Sequence, residues 1–243
     1  MRSWKIVAAA SAALAIPIPA SANLSISKLW VDFKEGDQER SDLVIRNDSQ
    51  DRYYVAVTVA EIVDAGTELE NKLVETDPDK LGLLVTPNQI VLEPGAIRSI
   101  RLVSLNKSLT RDRVYRVLVA PQVGALKVKD AGAENRGVAI KMLAAYDVLV
   151  IDRPKASEAK VEAQRLPGQV ILTNSGNSNV LVAEGFVCPG EVRTNPDKER
   201  CKPLEAQRLY AGNTMSVSLD QPSDRLFLKT KAGSDTPPVD REF

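Results

Sequence analysis

The feature that most restricts the fold is a long series of short β-type runs, separated by turn residues, with hardly any helical periodicity. In Tyr53–Val63, for example, β-branched and aromatic residues dominate and successive positions alternate between two faces. Comparable runs lie at Leu24–Phe33, Leu43–Ile45, Leu83–Thr86, Gln89–Leu92, Ile97–Leu102 and Val114–Ala120. Seven or more short strands at this spacing predict an all-β fold and favour a β-sandwich.

A second, smaller series of runs follows the Arg153–Pro154 pair. Its members are Val170–Thr173, Asn179–Cys188, Leu204–Leu209, Met215–Leu219 and Arg225–Lys229. The polar segment 155–168 is expected to be a linker or an irregular edge, and the Pro-rich tail 231–243 to be loosely packed. We therefore expect two β domains, residues 23–152 and 153–243.

The first residues have the pattern of an export signal. Arg2 and Lys5 precede an apolar run, and the small residues at 20–22 offer a cleavage site. The alternative, a membrane anchor, is weaker because the run is too short to span about 30 Å of hydrocarbon. Residues 1–22 are predicted to be a signal peptide, so that the mature chain begins at Asn23.

The two cysteines, Cys188 and Cys201, are expected to form a disulfide, because an even count in an exported protein favours pairing. Free thiols or a redox pair remain as alternatives, although the CxxC spacing typical of redox pairs is missing.

The composition excludes several classes of function. The chain contains no histidine, the commonest base near neutral pH and the commonest transition-metal ligand. No phosphate-binding loop, nucleophile elbow or zinc motif is present, which argues against an enzyme and against a cofactor or metal site. Without residues 1–22 the 32 basic residues become 30 against 32 acidic ones, a net charge of −2. Such a balance gives no reason to expect nucleic acid or an anionic membrane as a partner.

The segment Val138–Ile151 is too long for an ordinary strand of five or six residues. As a strand it would show two faces, one with Val138, Ile140, Met142, Ala144, Tyr146, Val148 and Val150, the other with Ala139, Lys141, Leu143, Ala145, Asp147, Leu149 and Ile151. A helix is the alternative, since residues 141–145 are good helix formers. We expect a strand, with core packing from about Tyr146 onward and exposure before it.

Two blocks carry a resemblance to a known family. They are GLLVTPNQIVLEPGAIRSIRL, residues 82–102, and RDRVYRVLVAPQ, residues 111–122. Together with the long strand that ends in Arg153–Pro154, they resemble the periplasmic pilus chaperones of the chaperone–usher pathway. The VYRV sequence and a disulfide in the second domain are most similar to the alternate, colonisation-factor branch. The resemblance implies two immunoglobulin-like sandwiches set at an angle, a periplasmic location and a function without catalysis, cofactor or small-molecule substrate.

The resemblance also implies how such a protein would act. A pilin subunit lacks the last strand of its own sandwich, and the chaperone donates its long strand to the open groove before an outer-membrane usher receives the subunit. The donor residues would be Val138, Ile140, Met142 and Ala144. Self-association through the same strand is a further option.

Chaperones of this family anchor the subunit's terminal carboxylate on basic residues, one of them a lysine on the long strand. That position, five residues before Pro154, is Leu149 here, so the anchor must lie elsewhere. The candidates are Arg116, Lys28 and Lys141. An alternative function is that of a fimbrial structural subunit or surface adhesin built of similar domains.

Overall fold

The computed structural model describes residues 24–122, 143–194 and 196–243. The predicted signal peptide and four predicted site residues, Val138, Ile140, Lys141 and Met142, lie outside these ranges. The described residues form four sheets arranged as two sandwich domains, which confirms the all-β prediction. Within the same ranges, no helix has the length and apolar character that crossing a membrane requires.

The first sandwich combines one short helix with strands from two sheets. Its elements are β1 (Leu24–Ile26), β2 (Trp30–Lys34), β3 (Arg40–Asn47), β4 (Tyr53–Val63), β5 (Asn71–Leu73), α1 (Pro78–Leu81), β6 (Leu83–Thr86), β7 (Gln89–Leu92), β8 (Ile97–Ser104), β9 (Arg113–Gln122) and β10 (Tyr146–Arg153). One sheet has the order β1-β3-β8-β6. The other has the order β2-β10-β9-β4-β5, with β7 paired to the start of β4.

The core of this sandwich follows from the alternation in the sequence. In β4, Tyr53, Val55 and Val57 are buried between the sheets, whereas Tyr54 is exposed. The expected single strand Leu24–Phe33 is wrong in one respect, because it is divided into β1 and β2. β1 pairs with β3 in one sheet, and β2 pairs with β10 in the other. The segment thus contributes an edge strand to each sheet.

The second sandwich is smaller and contains strands only. They are β11 (Val161–Leu166), β12 (Gln169–Asn174), β13 (Val180–Cys188), β14 (Lys202–Leu204), β15 (Gln207–Leu209), β16 (Thr214–Ser218), β17 (Arg225–Lys231) and β18 (Val239–Glu242). One sheet has the order β11-β12-β16. The other has the order β14-β13-β17-β18, with β15 also paired to β13. Their inner faces enclose a core of mainly valine and leucine side chains.

The expectation of a loosely packed tail is wrong. β18 pairs with β17 over residues 239–242, and Phe243 and Leu226 exchange two backbone hydrogen bonds of 2.9 Å. The Phe243 side chain also packs against the core of the second sandwich. The polar composition of the tail did not predict β18, because the main-chain hydrogen bonds at a sheet edge need no particular side chains.

The predicted disulfide between Cys188 and Cys201 is present. Both cysteines are buried in a small cluster with Phe186, Val192 and Phe227 on the outer face of the β13–β17 sheet. The bridge thus closes a loop over this face, and a closed loop of this size stabilises a domain by about 3 kcal/mol.

The long run Val138–Ile151 is a strand, β10, from Tyr146 onward, which excludes the helix for that part. β9 pairs with β10 along Tyr146–Asp152. On the opposite edge, β2 runs parallel to β10 and pairs with it only from Leu149 onward. The edge of β10 that precedes Leu149 therefore has no partner from β2.

Candidate functional site

The candidate site lies on the face of the β2-β10-β9 sheet that points away from the core of the first sandwich. Trp30, Leu149 and Arg116 are direct neighbours across these three strands, so their side chains share this face. Leu149 packs there with Val114 and Ile151, and Tyr210 of the second sandwich packs against the same cluster. The second domain therefore covers part of this face.

A buried ion-pair network holds the two domains together beside this cluster. Arg153 donates from Nε and Nη2 to Asp32 Oδ1, at 2.9 and 2.8 Å. Its Nη1 lies 3.6 Å from Asp112 Oδ2 and donates to Ser178. Asp112 in turn accepts the backbone N–H of Asn179 at 2.7 Å. Burial raises the pKa of Asp112, while Arg153 acts in the opposite direction by favouring the charged form.

Further contacts fix the junction at its rim. Asn213 Nδ2 donates to the carbonyl of Ala65 at 2.9 Å, and the N–H of Ser234 donates to Asp32 Oδ2 at 2.5 Å. Gly66, with φ +74°, lies against the Tyr210 ring, where a Cβ would approach the ring to 2.7 Å. A side chain at residue 66 would thus be strained and would push the domains apart.

Arg208, on β15 of the second domain, is the basic residue that the sequence analysis missed. Its guanidinium carbon lies 4.1 Å from the centroid of the Trp30 ring, and its Nη1 donates to Asn179 Oδ1 at 2.5 Å. Burial lowers the pKa of Arg208 to about 10, and the positive charges of Arg153 and Arg116 act in the same direction. Arg208 and Arg116 thus influence each other electrostatically.

Arg116 and Arg208 have N–H donors that are not engaged by a carboxylate of the described residues. Across residues 24–122, 143–194 and 196–243, no carboxylate forms an ion pair with Arg116 or Arg208, because Asp32 and Asp112 are both held by Arg153. A guanidinium offers a planar fork of N–H groups that matches a carboxylate. The arrangement is therefore suited to bind a carboxylate that comes from another molecule.

The other candidate residues have different surroundings. Lys28 is exposed and donates from Nζ to Ser41 of β3 at 3.0 Å, so its ammonium group is directed to the neighbouring sheet. Leu149 is buried, which explains why no charge occupies that position. Ala144 lies two residues before β10 and is half-buried. The remaining donor residues and Lys141 lie outside the described ranges.

Nothing in the sequence signals Arg208. It is an arginine in a three-residue strand, and its neighbours Gln207 and Leu209 give no motif. It approaches Arg116 and Trp30 only because the two domains pack together. Arg116, by contrast, could be proposed from the sequence, because charged residues are depleted inside strands with a half-buried pleated surface.

Comparison with known proteins relates the first sandwich to fimbrial proteins. Residues 31–151 match the family model described as the CS5 fimbrial protein N-terminal domain. These residues run from β2 into β10, so the first sandwich is similar to this family of fimbrial proteins. Among curated proteins, one from Escherichia coli that is named as a CS1 fimbrial subunit is 26% identical over 229 residues, which covers 91% of both chains.

Two solved structures from fimbrial systems have the same fold. The class 5 fimbriae chaperone CfaA superposes with a TM-score of 0.61 at 21% identity, covering 90% of this chain and 98% of CfaA. A chain from a chaperone–tip adhesin complex of CFA/I fimbriae biogenesis superposes with a TM-score of 0.59 at 22% identity, covering 91% and 98%. The chain accordingly shares the two-sandwich fold of these structures.

Proposed function

We propose that this chain is a periplasmic chaperone without enzymatic activity, which binds fimbrial subunits by donating residues 138–144 as a strand and delivers them to an outer-membrane usher. The observation that carries the proposal is the edge of β10, which β2 leaves unpaired before Leu149. The predicted donor face, Val138, Ile140, Met142 and Ala144, continues along the chain from this edge. Strand addition is a known mode of peptide recognition, for which chaperone–pilin complexes are a standard example.

The anchor at Arg116 would fix the register and direction of the added strand. Because β2 occupies the edge from Leu149 onward, an added strand has to end where β2 begins. Arg116 is the neighbour of Leu149 across β9 and β10, so a terminal carboxylate that ends there comes within reach of its guanidinium. A C-terminus at this point means that the added strand runs parallel to β10.

The domain organisation is part of the same proposal. We propose that residues 1–22 are removed on export, and that the domains are residues 23–152 and 153–243. In support, β10 of the first sandwich ends at Arg153, one residue beyond the proposed boundary, and β11 of the second sandwich begins at Val161. The donor strand would then lead directly into the junction that Arg153 holds.

The alternative, a fimbrial structural subunit, is favoured by the name of the curated relative, which is called a fimbrial subunit. Against it, a self-assembling subunit needs a detachable N-terminal segment to donate. Here β1 pairs with β3, and β2 pairs with β10, inside one sandwich. We therefore favour the chaperone.

Co-expression with a fimbrial subunit from the same gene cluster tests the proposal. We expect the soluble periplasmic yield of the subunit to rise several-fold, because strand donation covers its open groove, and a 1:1 complex to be isolated. Size-exclusion chromatography with light scattering measures the stoichiometry. Unchanged degradation of the subunit, or polymers of this chain on the cell surface, would contradict the chaperone and favour the subunit.

A further inference from the structure

The geometry of the junction points to an anchor that is divided between the two domains. We propose that Arg208 of the second domain binds the subunit's terminal carboxylate together with Arg116 of the first, so that binding clamps the domains to each other. This inference rests on the proposed function and adds a residue and a consequence to it.

The positions of the two arginines allow a shared ligand. Trp30 and Arg116 are two strands apart in one sheet, which places their backbones about 10 Å apart on the same face. Arg208 stacks on the Trp30 ring, so its guanidinium lies above this face. A carboxylate that enters between Arg116 and Trp30 would therefore meet one guanidinium from each domain.

The charges favour an anion at this point. Arg116 and Arg153 both lower the pKa of Arg208, and within the described residues Asp32 and Asp112 are engaged by Arg153. Lys231 adds a further positive charge, because its Nζ lies 5.6 Å from the centroid of the Trp30 ring. A bound carboxylate would offset part of this positive charge and relieve the repulsion between Arg116 and Arg208. Trp30 and Tyr210 are partly buried beside this point, and partial burial strengthens an interaction between charges.

Hydrogen bonds connect Arg208 to the junction. Asn179 accepts from Arg208 through Oδ1 and donates to Asp112 through its backbone N–H and its Nδ2. Asp112 belongs to the first domain and also lies beside Arg153. A ligand that fixes Arg208 therefore also fixes Asn179 against Asp112. Binding of the carboxylate should accordingly make the interdomain contact more rigid.

The test uses two synthetic peptides with the last fifteen residues of a fimbrial subunit, one with a free carboxylate and one amidated. Trp30 is the sole tryptophan in residues 24–243, so its fluorescence reports binding at the site. For the native protein we expect the amide to bind about 10- to 100-fold more weakly, as expected for losing a charge-assisted hydrogen bond. We expect Arg208→Gln to weaken the carboxylate peptide by a similar factor and to leave the amide unchanged.

Three further variants complete the test. The double variant Arg116→Gln/Arg208→Gln should lose less binding free energy for the carboxylate peptide than the two single variants together, because both arginines would hold the same carboxylate. Arg208→Lys should restore part of the preference for the free carboxylate, which a purely structural role would not do. The matched control is Arg193→Gln, which removes one positive charge from an exposed site in the same domain.

The outcomes separate the inference from the proposed function. If Arg208→Gln discriminates between the peptides as the native protein does, the divided anchor is wrong. If Arg116→Gln then loses the preference for the free carboxylate, the anchor on the first domain is still supported. If Arg208→Lys fails to restore any preference, the role of Arg208 is structural and the inference also fails. If the native protein binds neither the peptides nor the whole fimbrial subunit, the proposed function itself is wrong.

Discussion

Replacing Ile140 and Met142 together with aspartate is expected to abolish the stable complex with fimbrial subunits. Each large apolar side chain buried at an interface contributes about 1.5–3 kcal/mol, so losing two should weaken binding more than about 100-fold. Two carboxylates inserted into an apolar groove would add a large desolvation cost. Surface plasmon resonance with immobilised subunit measures the affinity, and circular dichroism checks the fold.

The control for this double variant carries the same change elsewhere. Val44 and Ile97, which are 39% and 53% exposed, lie on adjacent strands of the other sheet, outside the proposed cleft. Their replacement by aspartate adds the same charge and should leave the affinity for the subunit near its native level. Native affinity of the Ile140/Met142 variant would contradict strand donation by residues 138–144. Unfolding of that variant would instead show that these residues belong to the protein's own core.

Arg153→Ala is expected to lower the free energy of unfolding by about 3–5 kcal/mol, the range for removing one partner of a buried ion pair. The side chain of Arg153 is only 8% exposed, and its loss leaves Asp32 and Asp112 without their shared cation. Asp112 is the more severely affected, because its side chain is 3% exposed and its Oδ1 has no hydrogen-bond partner among the described residues. Urea denaturation, monitored by the fluorescence of Trp30 at the domain junction, measures the change in the free energy of unfolding.

The effect of Arg153→Ala should depend on pH. Burial raises the pKa of Asp112 and Arg153 opposes this, so the substitution raises the folded-state pKa further. A carboxyl group whose pKa is higher in the folded state loses stability as pH rises from the unfolded-state value through the folded one. The variant should therefore be closer to the native protein at pH 4.5 than at pH 7.

A matched control separates burial from pairing. Arg101 also contacts an aspartate through two nitrogens, Nε to Asp42 Oδ1 and Nη2 to Asp42 Oδ2, but its side chain is 50% exposed. Arg101→Ala should lower the free energy of unfolding by at most about 1 kcal/mol, because exposed ion pairs usually contribute no more than that. Equal effects of the two substitutions would contradict the role assigned to the buried network at the junction.

The sequence was sufficient for the strands that alternation and turn residues define together. Tyr53–Val63, Leu83–Thr86 and Gln89–Leu92 have the predicted bounds. In β4 the alternation of buried and exposed residues is the direct result of packing one face on a core, so the pattern contains the necessary information. The same pattern placed Val148 and Val150 in the core of the first sandwich.

The interactions between distant parts of the chain could not be predicted in this way. Arg208 reaches the cleft through domain packing, and β18 is held by main-chain bonds that its polar composition did not reveal. For the anchor, the sequence proposed Arg116 first and Lys28 and Lys141 after it. Only the arrangement of strands places Arg116 in the junction and directs Lys28 to Ser41.

Backbone hydrogen exchange of the isolated 1:1 complex tests the central claim most directly. If residues 138–144 are donated as a strand, their amides become hydrogen-bonded to the subunit and exchange at least about 100-fold more slowly than in the free protein. The amides of β10 beyond Leu149, which already pair with β2 and β9, should change little. Unchanged exchange at 138–144 in an intact complex would contradict strand donation and would place the subunit on another surface.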